Sequence, residues 1–147
     1  MRKLVFVTLV SGIVGLSFSQ MDSVESMKAM AMENMKRFMN MPSEKRKEYV
    51  KKKEEEAYER GKKLYNAYGC SGCHPGGGNV SGKVMGMPIP SLKGVKERFP
   101  KFKAGNDQVI TLSDMVNNCI VMFANKKPLP LASRDMRALT YFVSKLR

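Results

Sequence analysis

The chain has 147 residues and a formal net charge of +13 at pH 7, from 26 basic and 13 acidic side chains. This length allows one substantial domain at most, with a small core that gains stability from a covalent or metal link. The three cysteines are an odd number, which excludes a framework in which every cysteine is paired within the chain.

The first predicted element is a secretory signal peptide over residues 1–19. Arg2 and Lys3 form a basic start, an apolar run covers residues 4–18, and small residues near its end suit cleavage after Ser19. The run is too short, and too rich in glycine and serine, for a comfortable membrane span. We therefore expect an exported, periplasmic protein, with an uncleaved anchor as the alternative.

Residues 20–53 are predicted to form a helical extension that is rich in methionine and in charge. Seven methionines lie between residues 20 and 42. A Cu(I) site is one interpretation of them, because thioether sulfur is a soft ligand. An amphipathic helix that packs loosely on the domain or on a partner is favoured, because this stretch lacks histidine and a regular Met-x-x-Met repeat. Association with a membrane or with another subunit is a role open to this extension.

Charged residues of both signs alternate along residues 44–56. Such mixing is typical of a solvated helix face with ion pairs four residues apart. A nucleic-acid site needs a surface of predominantly basic residues, and export would remove the protein from the compartment that holds nucleic acid. We therefore expect no nucleic-acid partner.

Residues 70–74 read Cys-Ser-Gly-Cys-His. In a Cys-x-x-Cys-His motif the two thiols add to the two vinyl groups of a haem, and the adjacent histidine becomes an axial ligand of the iron. A thioredoxin-like redox pair would need a βαβ context, which is absent. A zinc site would need a second pair of ligands, and His74 is the only histidine. The motif therefore predicts one haem c, bound covalently through Cys70, Cys73 and His74.

Helices and one long loop are predicted around this motif. A helix is expected to run from the charged extension to Gly69, and a loop rich in glycine and proline covers residues 75–105. A loop of this length suits a domain in which it packs on a flat cofactor. Two helices, over about residues 107–123 and from Ser133 to near residue 146, close the chain. Four apolar residues share one face of the last helix: Leu139, Phe142, Val143 and Leu146.

With these features, residues 54–147 resemble a class I c-type cytochrome. Gly61 and Tyr65 lie one helical turn apart before the haem motif, where the family has a small residue and an aromatic residue that let the first helix cross the last one closely. The resemblance implies an all-α fold, with helices wrapped around one covalently bound haem. The extension over residues 20–53 precedes this domain.

Residues 90–94 read Pro-Ser-Leu-Lys-Gly and resemble a Pro-x-Leu-x-Gly stretch of the same family. The resemblance implies that the Pro90 carbonyl accepts a hydrogen bond from the His74 imidazole, which fixes the ring and its electron donation. It also implies that Leu92 packs on the haem.

The second strong axial ligand is open among five residues: Cys119, Met85, Met87, Met115 and Met122. A methionine in the second half of the chain is the usual class I ligand, and Met122 is best placed for it. Met87 and Pro88 resemble the family's Met-Pro dipeptide, but they come too soon after His74 to reach round the haem. A buried free cysteine that packs as an apolar residue is the structural alternative for Cys119.

The C-terminal half resembles two more specific families of haem domains, on residues 117–119 (Asn-Asn-Cys), 127–129 (Lys-Pro-Leu) and 136–141 (Met-Arg-Ala-Leu-Thr-Tyr). One is the haem subunit of the sulfur-oxidising complex, and the other is the tetrathionate-forming thiosulfate dehydrogenases. A cysteine in this place is the distal haem ligand in those domains. The resemblance therefore favours Cys119 over Met122, and a thiolate ligand implies a low reduction potential.

Basic residues are concentrated in two segments. Residues 83–103 contain six basic residues and one acid, and residues 126–147 contain the same numbers. Both segments are expected to surround the cofactor, where positive charge attracts acidic redox partners and raises the encounter rate. Arg98 and Lys101 are also candidates to offset the two carboxylates of the haem.

The sequence thus predicts an exported monohaem c-type cytochrome that transfers electrons in sulfur-compound (thiosulfate) oxidation. The alternative is a haem enzyme, or an enzyme subunit, that acts on thiosulfate with a cysteine-ligated haem. Residues 120–123 are Ile-Val-Met-Phe, where the thiosulfate dehydrogenases have polar and basic groups. An electron carrier is favoured, because an apolar pocket binds a dianion poorly.

Overall fold

The computed structural model describes the backbone of residues 14–147 and the side chains of residues 24–147. Most of the signal peptide predicted at residues 1–19 therefore lies outside the described residues. The chain divides into two compact units, Met1–Glu48 and Tyr49–Arg147.

The methionine-rich stretch of the first unit lies in one helix, α1 (Val14–Asn40), which continues across the predicted cleavage point. Its methionines are more than half exposed from residue 27 to residue 39, so their side chains form no part of a core. Arg37 pairs with Glu33 at 2.9 Å, one helical turn away. Among the residues that the structure describes, no helix is both long and apolar enough to cross a membrane.

The second unit is mostly helical, with two short antiparallel hairpins. Its helices are α2 (Ser43–Ala67), which begins in the first unit, α3 (Cys70–Cys73), α4 (Leu112–Met122) and α5 (Arg134–Ser144). The hairpins pair β1 (Gly82–Val84) with β2 (Met87–Ile89) and β3 (Lys101–Phe102) with β4 (Val109–Ile110). Two 3-10 turns, Gly76–Gly78 and Val95–Arg98, complete the order.

Helices α2 and α5 cross closely at Gly61. A Cβ atom on Gly61 would lie 2.1 Å from the carbonyl oxygen of Ala138 and 2.6 Å from Cβ of Phe142. Only glycine allows this approach of the two backbones. Tyr65, one turn further along α2, packs its ring against Phe142 with centroids 5.3 Å apart. The predicted close crossing of the first and last helices of this domain is therefore confirmed.

The core of this unit is built on the predicted apolar face of α5. Leu139 is completely buried, and the other members of that face are at most 6% exposed. Tyr65 from α2, Ile120 from α4 and Val95 from the second 3-10 turn belong to the same cluster. Three residues of the predicted face lie on α5, whereas Leu146 follows the end of the helix at Ser144 and still belongs to the core. The predicted start is confirmed, because the Ser133 side chain accepts a hydrogen bond from the backbone N–H of Met136 at 3.1 Å.

Two predictions about the middle of the chain are wrong. The segment predicted as a loop over residues 75–105 contains the β1–β2 hairpin and strand β3, because strands of two or three residues carry no periodic pattern. Helix α4 begins at Leu112 and not near Asp107. Thr111 caps it, accepting from the N–H of Asp114 at 3.3 Å, while the Asp114 carboxylate accepts from the N–H of Thr111 at 2.8 Å. This reciprocal capping box fixes the first turn.

Candidate functional site

A cavity of about 420 Å³ opens within the second unit. Its walls come from α3, the β1–β2 hairpin, the segment before α4, and α4 itself. All the predicted site residues line it: Cys70, Cys73, His74, Pro90, Leu92, Arg98, Cys119 and Met122. Tertiary structure therefore brings together residues that lie up to 52 positions apart in the sequence.

Residues 70–74 form one wall, which we call the α3 wall. Gly69, with a φ of +77°, turns the chain out of α2 and into the single helical turn of α3. The backbone N–H of His74 donates to the carbonyl of Cys70 at 2.9 Å. This turn places Cys70 and Cys73 three residues apart on the same side. The β1 strand lies against it so closely that a Cβ on Gly82 would be 2.0 Å from the carbonyl oxygen of Cys73.

His74 is fixed by its backbone, and burial of its side chain favours the neutral form of the imidazole. The hydroxyl of Tyr65, itself buried in the core, donates to the carbonyl of His74 at 2.5 Å. Burial lowers the pKa of the imidazole, and the backbone carbonyl of Pro90 opposes that shift. Nδ1 is buried and makes no well-formed hydrogen bond with the described residues. A neutral imidazole is the form that binds a metal ion.

The three cysteines are free thiols that face a common space. Burial raises the pKa of Cys70 to about 11, with a further contribution from the nearby sulfur of Cys119. Burial also raises the pKa of Cys119, reinforced by Cys73 and opposed by the ammonium group of Lys103. Cys119 lines the same cavity as Cys70 and Cys73, so α4 brings its sulfur to the space beside the α3 wall.

Residues 115–122 of α4 form the facing element, which we call the α4 wall. Met115, Cys119 and Met122 all line the cavity, because positions four and three residues apart share a helix face. Met122 ends the helix and is 70% exposed, whereas Cys119 is half-buried. Met87 also reaches the cavity from β2, so its short separation from His74 along the chain does not keep it away from this space.

Basic side chains also line the cavity. They are Arg98, Lys101 and Lys103. The Arg98 guanidinium donates to the carbonyl of Ser91 at 2.9 Å and makes a longer contact with that of Lys93 at 3.4 Å. Arg98 thus holds the loop that contains Leu92 while its charge remains beside the cavity.

The residues of this cavity fit a covalently bound haem. Two free thiols lie one helical turn apart, beside an imidazole whose buried Nδ1 lacks a well-formed hydrogen bond. Apolar side chains line most of the remaining surface, and cations lie on one part of it. This combination suits a flat apolar group that carries a metal and two carboxylates. Within residues 24–147, no three His, Cys, Asp or Glu side chains form a metal site by themselves, so no zinc ligand set is found there.

Two residues of the cavity had no predicted role of their own, Asn106 and Asn118. Met87 and Met115, which were candidate ligands, also line it, and so does Lys103 from the basic segment predicted at residues 83–103. Asn106 lies in an irregular segment without periodicity, so the sequence carries no signal for it. Asn118 was predicted only as part of the Asn-Asn-Cys stretch, without a role of its own.

Comparison with known protein families gives one match. The family model described as SoxA/TsdA, cytochrome c domain, matches residues 53–146. These residues include both walls of the cavity and make up well over half of the chain. No curated protein matches the chain, and no solved structure matches it. The predicted resemblance to the haem domains of sulfur oxidation is confirmed. The chain belongs to the SoxA/TsdA cytochrome c domain family: it is a c-type cytochrome with covalently bound haem c and an electron-transfer role in sulfur oxidation.

Proposed function

We propose that this protein is an exported, monohaem c-type cytochrome that carries electrons in thiosulfate oxidation. The observation that carries the proposal is the cavity, which joins Cys70, Cys73 and His74 to Cys119. The sequence contains a single Cys-x-x-Cys-His motif, and this supports one haem per chain. The predicted signal peptide supports export to the periplasm.

The residues of the α3 wall would attach the cofactor. Cys70 and Cys73 would hold it through two thioether bonds, and His74 would bind the iron. When bound, the haem supplies one-electron redox chemistry at a potential that the axial ligands set. Pro90 would accept a hydrogen bond from the imidazole and so orient the ring, and Leu92 would cover the macrocycle.

Cys119 is the second axial ligand that we propose, with Met122 as the alternative. Cys119 is half-buried in the cavity, whereas Met122 is largely exposed at the last residue of α4. Because Cys119 is shielded from water, solvent would compete less with its sulfur for a bond to the iron. A thiolate ligand stabilises the ferric state and lowers the potential.

The basic surface supports acidic proteins as redox partners. Lys101 and Lys103 lie at the cavity, and Arg98 adds a third positive charge there. Such a concentration of one sign raises the rate of encounter with an acidic surface and loses its effect as salt is added. The exposed methionines of α1 support a further contact, with another subunit or with a membrane surface.

A haem enzyme that acts on thiosulfate is the second candidate. The three cations at the cavity favour it, because they could attract a small dianion toward Cys119. The apolar residues that follow Cys119 oppose it, since they offer a dianion no hydrogen bond. An electron carrier is therefore the better supported function.

Electron paramagnetic resonance and absorption spectra of the oxidised holoprotein test the ligand. We expect the low-spin signal of a thiolate-ligated haem, lost in Cys119→Ala and kept in Met122→Ala. The opposite pattern, with a long-wavelength His/Met band that disappears in Met122→Ala, would show that Cys119 is not the ligand.

Reduction by thiosulfate distinguishes the carrier from the enzyme. A carrier exchanges electrons with a partner protein or a small redox dye, but isolated wild-type protein should not be reduced by thiosulfate alone. Rapid reduction by thiosulfate that is abolished in Cys119→Ala would establish the enzyme instead.

A further inference from the structure

Two consecutive asparagines tie α4 to the segments on either side of it. The Asn117 side chain makes two hydrogen bonds with the backbone of Leu129: Nδ2 donates to its carbonyl at 2.8 Å, and Oδ1 accepts from its N–H at 2.9 Å. The Asn118 side chain donates from Nδ2 to Oδ1 of Asn106 at 3.1 Å. Leu129 lies in the connection after α4, and Asn106 lies in the segment before it.

These bonds fix the rotation of α4 about its own axis. Successive residues of an α-helix point about 100° apart, so Asn117 and Asn118 hold the helix in two different directions. Cys119 is the next residue and therefore has its direction set by the same bonds. Asn118 and Cys119 line the cavity, whereas Asn117 does not, as this geometry requires.

The rotation matters because α4 carries three sulfur atoms on its cavity side. Met115, Cys119 and Met122 are within reach of the same space, and a small rotation or slide of the helix would present a methionine. The helix end offers little resistance to such a change, because Met122 and the two residues beside it are exposed. An interaction from outside the helix is therefore needed to select which of the three sulfur atoms is presented.

Asn106 is also hydrogen-bonded to Lys103. The backbone N–H and the side-chain Nδ2 of Asn106 donate to the carbonyl of Lys103 at 3.1 and 3.2 Å. The turn that holds Asn118 is thus the turn that places a cation at the cavity beside Cys119. A positive charge in this position favours a thiolate over a neutral thioether as the ligand.

We propose that Asn117 and Asn118 are positioning residues that select Cys119, over Met115 and Met122, as the sulfur presented to the haem iron. The inference rests on the proposed function, since it takes Cys119 to be the axial ligand. Neither asparagine touches the iron in this proposal. Both act through the orientation of α4.

The test uses the oxidised holoproteins of Asn117→Ala, Asn118→Ala and Asn106→Ala, with electron paramagnetic resonance and the reduction potential as readouts. The matched control is Asn66→Ala, an exposed asparagine of α2 that lies outside the cavity. Wild type and control should show one thiolate-ligated species. We call the three hydrogen-bonded asparagines Asn106, Asn117 and Asn118 the clamp. The three clamp variants should show a second low-spin species of higher potential.

The size of the effect follows from the number of bonds removed. Loss of one hydrogen bond shifts the ratio of two helix orientations by roughly fivefold, and Asn117→Ala removes two, for a shift of roughly 25-fold. Asn106→Ala removes the bond to Asn118 and also the side-chain bond to Lys103. Its shift should therefore be at least that of Asn118→Ala, and the double variant should equal Asn106→Ala alone. Asn106 lies outside α4, so this variant tests the clamp even where Asn117→Ala does not fold.

Two results would overturn the inference, and they are distinguishable. A wild-type protein without a thiolate signal refutes the proposed ligand and the clamp together. A wild-type protein with that signal, beside clamp variants whose spectra and potentials are unchanged and whose melting temperatures alone fall, refutes only the clamp. The asparagines would then be ordinary structural residues.

Discussion

The two walls of the cavity are built in different ways. The α3 wall places two cysteines and a histidine within five consecutive residues, and one helical turn is enough to orient them. The α4 wall places its sulfur by means of side-chain bonds to residues 12 positions away on either side. Local sequence therefore decides which residues could attach the haem, whereas long-range contacts orient the face of α4 that lines the cavity.

The walls also differ in how they join the core. The α3 wall is linked to it through Tyr65, which is 1% exposed and donates to the His74 carbonyl. The α4 wall is joined to it through Ile120, equally buried, but the residues after Ile120 are exposed. No residue of α3 is itself buried, and Ser71 and Gly72 are exposed. The second wall is exposed only at its C-terminal end, where a change in the orientation of the helix meets less steric resistance.

The prediction with the largest expected effect distinguishes the residues that attach the haem covalently from the residue of α4 that would bind its iron. In the double variant Cys70→Ala, Cys73→Ala, no thioether bond can form, so we expect complete loss of covalent haem on a denaturing gel stained for peroxidase activity. Cys119→Ala is the matched thiol-removing variant of the other wall and should keep its haem stain. Loss of covalent haem in Cys119→Ala would show that the two walls do not divide these roles.

The next largest effect is expected at the crossing of α2 and α5, which supports the α3 wall through Tyr65. Gly61→Ala places a methyl group 2.1 Å from the carbonyl oxygen of Ala138, so α2 and α5 must move apart. We expect a loss of about 2 kcal/mol in the free energy of unfolding, measured with guanidinium chloride.

Gly72→Ala is the control for that variant, because a Cβ there meets no atom within 4 Å. Its unfolding free energy should change by less than about 1 kcal/mol. Equal stability of the two variants would contradict the close crossing of α2 and α5.

The smallest effect loosens the start of the α4 wall. Thr111→Ala removes the cap of α4 and should cost about 1 kcal/mol of unfolding free energy near neutral pH. Thr111→Ser keeps the hydroxyl and should restore most of it. Chemical denaturation of the three proteins across a pH series would measure both effects.

Acid should remove part of the stability that the cap of α4 contributes. Hydrogen bonds from Thr111 hold the pKa of Asp114 below its usual value of 3.8. Because the pKa of Asp114 is lower in the folded state than in the unfolded state, its ionised carboxylate stabilises the fold fully when the pH is above the unfolded-state pKa. This stabilisation is lost as the pH falls through the folded-state pKa. Wild type should therefore lose more stability than Thr111→Ala when the pH falls below about 4. Parallel pH profiles would contradict the capping box.

Much of the fold was readable in the sequence because it depends on local patterns. The apolar face of α5 follows from helical spacing, and its start follows from a serine cap. Gly61 and Tyr65, predicted from the family resemblance, mark the crossing of α2 and α5. The short strands were not readable, because two or three residues cannot establish a period and their pairing is settled by distant contacts.

The sequence by itself determined the attachment chemistry, since Cys-x-x-Cys-His acts through the spacing of one helical turn. Only the tertiary structure decided how the other side of the cavity is composed. It brought Met87, Met115 and Lys103 to the same space as Cys119, and it supplied the asparagine bonds that orient α4. The reason is physical: a helical turn fixes neighbours along the chain, whereas the direction of a helix face depends on what packs against it.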